Sequence, residues 1–86
     1  MQIFVKSILY VFSKADNKNL ILLGAMIRKR RVALKITQAQ LAFELGTDGR
    51  HIRRIENGDV NISYLTLKKI ADSFYIKLSQ LIKDTK

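Results

Sequence analysis

The segment at residues 38–55 constrains the fold more than any other part of the chain. Ala42 is small enough to let two helices cross closely, and Gly46 can adopt the positive φ that a tight turn between helices requires. Apolar side chains before and after the turn are spaced to hold both helices against one core: Leu41, Leu45, Ile52 and Ile55. The segment therefore predicts two short helices that meet around a single glycine turn.

Capping signals and periodic stripes predict three more helices. Thr37 and Gln40 have capping-box spacing at the start of the first short helix, Asp48 is an N-cap candidate for the second, and Ser63 is one for a later helix. The stripes are Leu23, Ile27, Arg31 and Leu34 over about 21–34, then Leu67, Ile70, Ala71 and Phe74, then Leu78, Leu81 and Ile82 over about 78–83. We predict an all-α fold, a compact five-helix domain with an extra apolar N-terminal segment.

The apolar segment at residues 1–12 fits two structures. Its β-branched and aromatic residues favour a strand, whereas Phe4, Ile8 and Phe12 are spaced for a helix. The sequence leaves both open. A strand here would have to pair across a dimer, because no other strand is predicted.

Residues 13–19 are polar and are predicted to form a loop. We therefore divide the chain into an N-terminal extension over 1–19 and a domain over 20–86. The apolar segment is shorter than the about 20 residues that span a bilayer, and no cleavage site for export follows it. We expect a cytoplasmic protein, encoded by a bacterium or a phage and associated with the nucleoid.

Charge and composition limit the kinds of partner, metal site and reaction that we expect. The 86 residues include sixteen Lys and Arg against seven Asp and Glu, a formal net charge of +9, so a polyanion is the expected partner. The chain has no cysteine for a disulfide, a zinc finger or a thiol nucleophile. Its single histidine has no metal partner at ligand spacing. We predict no catalytic residues, no metal and no cofactor, and we do not expect an enzyme.

Four short motifs carry a family resemblance. They are Leu23-Gly24-x-x-Ile27-Arg28-x-x-Arg31, Ile36-Thr37-Gln38-x-x-Leu41-Ala42, Ile52-x-Arg54-Ile55-Glu56-Asn57-Gly58 and Thr66-Leu67-x-x-Ile70-Ala71. Together they resemble the lambda-repressor/Cro-like helix-turn-helix family, also called XRE, over about residues 23–82. The Asn61-Ile62-Ser63 entry to the fourth helix is similar to that of restriction-modification controller proteins. Lys35 departs from the family by standing where glycine is common, and Arg30 by standing where an apolar residue is common.

The resemblance implies a transcriptional regulator that binds double-stranded DNA with the second helix of the pair in the major groove. Arg50 and Arg54 share the face of that helix opposite Ile52 and Ile55, and the arginine fork matches O6 and N7 of guanine. We predict that the base-reading residues are Gly49, Arg50, His51 and Arg54.

The resemblance also implies a set of residues that bind the DNA backbone. These are Thr37, Gln38, Asn57, Tyr64 and Lys68, with Gln38 at a helix N-terminus, where free N–H groups favour phosphate. It further pairs Arg31 of the first helix with Glu56 of the second short helix, as a structural ion pair.

One such domain reads too few base pairs to be selective, so the resemblance implies a homodimer on a palindromic operator. The predicted dimer surface is the C-terminal apolar cluster of Phe74, Ile76, Leu78, Leu81 and Ile82. Residues 1–12 are a second candidate surface.

Two other functions fit parts of the chain. An antitoxin would hold a toxin protein with residues 1–19 and repress its own operon. A basic peptide on a membrane surface would use residues 1–12 as an amphipathic anchor, although we expect no membrane partner.

Overall fold

Five helices make up most of residues 17–83, the part of the chain that the computed structural model describes. They are α1 (Asn17–Ala33), α2 (Gln38–Leu45), α3 (Gly49–Glu56), α4 (Tyr64–Ser73) and α5 (Leu78–Ile82). No strand occurs in this stretch, so the all-α prediction is confirmed. The two alternatives for residues 1–12 lie outside the described residues. None of the five helices has the length and apolar character needed to cross a membrane.

α1 begins earlier than its apolar stripe predicted. Because the helix starts at Asn17, residues 17–19 are helical and not part of a loop, and the boundary drawn at residue 20 falls inside α1. Leu20 adds a buried residue to the stripe. At the other end the helix stops at Ala33. Leu34 therefore lies in the turn that follows and is exposed, contrary to the prediction.

Side-chain caps start the three central helices, as predicted. The Thr37 hydroxyl accepts from the N–H of Gln40 at 3.0 Å, and the Gln40 side chain accepts from the N–H of Thr37 at 2.8 Å. Asp48 accepts from the N–H of His51 at 2.9 Å, and Ser63 caps α4 in the same way. These bonds satisfy donors that have no partner within the helix.

Four of the described residues have the left-handed conformation, and two of them, Gly46 and Lys35, lie in the turns on either side of α2. Gly46 has a φ of 75° at the end of α2, so the turn predicted from this glycine is confirmed. Lys35 has a φ of 59° between α1 and α2, where a side chain is disfavoured. A glycine would adopt this conformation without strain.

All five helices contribute to one core. Its fully buried large side chains are Ile27, Leu41, Ile52, Ile55, Ile70 and Leu81. Phe74 belongs to the same core, and Ile76 and Leu78 are partly buried against it. The predicted dimer surface is therefore wrong for Phe74 and Leu81. The short α4–α5 connection folds both side chains onto the core of their own chain.

α1 and the end of α3 touch backbone to backbone at two glycines. A Cβ atom on Gly24 would lie 2.5 Å from the carbonyl oxygens of Ile55 and Glu56. A Cβ atom on Gly58 would lie 2.8 Å from the backbone of Ile21, and its φ is 77°. Side chains are excluded at both positions, so the two glycines set how closely α3 can lie against α1.

Candidate nucleic-acid interface

α3 is divided between an apolar face and a basic face. Ile52 and Ile55 are buried in the core, while Arg50, Arg53 and Arg54 are exposed to solvent. Glu56, the helix's acidic residue, is buried. The exposed face therefore carries only positive formal charge. Arg53, which is not among the predicted site residues, lies three positions after Arg50 and is exposed on the same side of the helix.

The start of α3 leaves open space in front of its first turn. A Cβ atom on Gly49 would meet no heavy atom within 4 Å, so packing within the protein does not require glycine there. His51 is partly exposed beside it. The carboxylate of Asp48 accepts the capping hydrogen bond from the backbone N–H of His51.

The predicted pair of Arg31 and Glu56 is present and buried, with residue exposures of 8% and 6%. Arg31 donates to both carboxylate oxygens, from Nε at 2.6 Å and from Nη2 at 3.1 Å. Its Nη1 donates to the carbonyl of Ile36 at 2.7 Å. Because both charged groups are paired and hydrogen-bonded, the cost of burying them is offset. The pair ties α1, the turn before α2 and the end of α3 together.

Gln38 joins this buried pair from the first position of α2. Its Nε2 donates to Glu56 Oε1 at 3.0 Å, and its side chain is half-buried. A carboxylate only accepts hydrogen bonds, so the amide nitrogen has to face it. The second N–H of the amide is then directed away from Glu56. The N–H groups of Gln40 and Leu41 donate to the hydroxyl and the carbonyl of Thr37. The N–H groups of Gln38 and Ala39, which precede them, lie at the exposed start of the helix and have no acceptor within it.

The remaining residues predicted to bind the backbone lie on exposed positions of two elements. Asn57 is the C-cap of α3, and Tyr64 begins α4 with 68% of its surface exposed. Lys68 lies one turn further along α4, where its ammonium donates to both carboxylate oxygens of Asp72, at 2.9 and 3.1 Å. The hydrogen bond to Asp72 and the charge of Asp72 raise the pKa of Lys68. A phosphate at Lys68 would share the ammonium with this carboxylate.

Comparison with known proteins gives the context for this arrangement. A family model described as helix-turn-helix matches residues 27–81, and no curated protein matches the chain. The restriction-modification controller protein C.AhdI from Aeromonas hydrophila is similar in structure, with a TM-score of 0.69 and 31% identity, covering 72% of this chain and 94% of that one.

Two further structures are similar. The hypothetical transcription factor NHTF from Neisseria has a TM-score of 0.69 and 26% identity, with 78% of each chain covered. The clp gene regulator ClgR from Corynebacterium glutamicum has a TM-score of 0.75 at 18% identity, covering 78% of this chain and 71% of that one, a likeness of fold alone. None of these findings supports the antitoxin alternative. Taken with the buried and basic faces of α3, they show that the chain belongs to the XRE-type helix-turn-helix family of DNA-binding transcriptional regulators.

Proposed function

We propose that the protein reads a specific DNA sequence by placing α3 in the major groove. The observation that carries this proposal is the division of α3 between buried isoleucines and exposed arginines. The helix is anchored by Ile52 and Ile55, so the opposite face is held towards a ligand. Arg50 and Arg54 donate to guanine O6 and N7. Gly49 and His51 approach the bases at the open first turn.

The backbone contacts surround this helix in the proposal. Gln38 binds a phosphate with its outward amide N–H, supported by the exposed N–H groups of α2, and Thr37 adds its hydroxyl. Asn57, Tyr64 and Lys68 bind phosphates on the other side of α3. These contacts set the register of the protein on the duplex and carry no sequence information.

We propose a homodimer on a palindromic operator, with a DNA-binding domain that begins at the start of α1 (Asn17) and an extension before it that contacts a partner. Phe74 and Leu81 are unavailable for the interface, so the C-terminal surface is formed by Tyr75 and Ile82 together with the exposed parts of Ile76 and Leu78. Tyr75 is 93% exposed and Ile82 39% exposed, and exposed apolar groups of this kind favour association. A small repressor or controller of this design binds as two copies, one per half-site.

The test is selection of bound DNA from a random pool by the wild type and by Arg50→Ala. We expect a palindromic site from the wild type. The variant should lose its base preference at one position in each half-site, with a discrimination loss of roughly 1–3 kcal/mol. An identical preference in both proteins would show that Arg50 does not read a base.

A further inference from the structure

A groove lies between the end of α1 and the start of α2. Its lining includes Arg28 and Lys35 as well as Thr37 and Gln38, and the paired Arg31 forms part of its wall. Arg28 lies in the C-terminal half of α1, and Lys35 lies in the turn before α2. Both side chains are exposed. The groove therefore continues directly from the phosphate position proposed at Gln38.

Two positive charges in this groove are uncompensated. Arg31 is neutralised by Glu56, and no carboxylate side chain belongs to the groove lining. Within residues 17–83, neither Arg28 nor Lys35 forms an ion pair. Glu44 lies in a neighbouring groove that Lys35 also borders, and it is not paired with the lysine. Arg28 and Lys35 thus present an anion site with both charges available.

Lys35 occupies its position despite backbone strain. Its φ of 59° is in the left-handed region, where glycine would be relaxed, and its N–H donates to the carbonyl of Val32 at 2.9 Å. The turn is therefore hydrogen-bonded without any contribution from the lysine side chain. A strained residue whose side chain does nothing for its own turn points to a role in binding.

We infer that Arg28 and Lys35 bind a DNA backbone phosphate that adjoins the one assigned to Gln38. This inference rests on the proposed function and extends the interface from α2 to the end of α1. The ligand is the phosphate of a duplex, because the groove is continuous with the face that α2 and α3 present to DNA. The contact is independent of base sequence, so it raises affinity for every duplex alike.

The experiment measures the dissociation constant between roughly 50 and 200 mM salt for two duplexes, one with the selected site and one with a scrambled site. The proteins are the wild type, the double variant Arg28→Gln with Lys35→Gln, and Lys29→Gln as the matched control. Lys29 is an exposed cation on the same helix that does not line the groove. Loss of one phosphate contact lowers the slope of log affinity against log salt by about 0.9, and a homodimer loses one contact in each protomer, so its slope should fall by about 1.8 in all. We expect that reduction on both duplexes for the double variant and none for Lys29→Gln.

Lys35→Gly separates binding from stability. This variant removes the amine and also relieves the strained φ, so we expect a higher Tm together with a reduced salt slope, whereas Lys35→Arg should retain the wild-type slope.

A double variant with the wild-type slope overturns the inference, and so does a loss of affinity confined to the selected duplex. If the wild type binds neither duplex, the proposed function itself fails. Normal wild-type binding with an unchanged variant slope refutes the Arg28–Lys35 site alone.

Discussion

Arg31 and Glu56 form a doubly hydrogen-bonded ion pair beneath the proposed DNA surface, with 2.6 Å between Nε and Oε2. The same carboxylate accepts from the amide of Gln38 at 3.0 Å. One buried group therefore holds the first helix, the start of α2 and the end of α3 in a fixed relation. Any displacement of Glu56 would move both the proposed phosphate contact and the proposed base-reading helix.

Removing the charge of Glu56 should destabilise the fold strongly. The variant Glu56→Gln leaves the Arg31 guanidinium buried without a counter-charge, which costs about 3–5 kcal/mol. Urea unfolding followed by circular dichroism measures this loss. The double variant Arg31→Met with Glu56→Leu should recover much of it, because apolar side chains of similar volume carry no desolvation cost. A single variant as stable as the wild type would show that the pair is hydrated in solution.

Gly24→Ala should also destabilise the protein. The new Cβ atom would lie 2.5 Å from two backbone carbonyl oxygens of α3, and backbone atoms cannot turn aside as a flexible side chain can. Overpacking of this kind costs about 1–3 kcal/mol or more. The loss is measured by thermal unfolding, with Ala25→Ser at an exposed neighbouring position as the control. A Tm equal to that of the control would mean that α1 and α3 separate easily.

The local parts of the fold could be predicted from the sequence because their signals lie within a few residues. The capping box at Thr37, the cap at Asp48 and the turn at Gly46 each depend on one side chain or one φ value, and all three are present. Periodicity likewise identified Ile52 and Ile55 as buried. The same spacing predicted that Arg50 and Arg54 lie on the opposite face of α3.

The misplaced features depend on contacts between distant parts of the chain. Periodicity marked Phe74 and Leu81 as apolar positions, but it does not distinguish burial within the chain from burial in a dimer. The close approach at Gly24 depends on the backbone of α3, which is more than thirty residues away in sequence. The pairing of Lys68 with Asp72, which was not predicted, does have a local signal in the spacing of four along a helix.

Gly49→Ala should stabilise the protein and weaken its binding to DNA. The site has open space for a methyl group, and alanine in a helix is favoured over glycine by up to about 1 kcal/mol. In the proposed complex the same methyl group would meet the bases at the first turn of α3. Thermal unfolding and the dissociation constant for the selected duplex test the two effects separately. Unchanged affinity in a more stable variant would place the first turn of α3 away from the DNA.

Two residues of the C-terminal apolar cluster should respond differently to substitution. Leu81 is fully buried and Ile82 is 39% exposed. Leu81→Ala removes core packing and should cost about 2–5 kcal/mol of unfolding free energy. Ile82→Lys should leave the core intact and weaken the homodimer, because a charge would be buried in the proposed interface. Urea unfolding measures the first effect, and sedimentation velocity over a range of protein concentrations measures the second. If Ile82→Lys dimerises as the wild type does, the two copies meet through another surface.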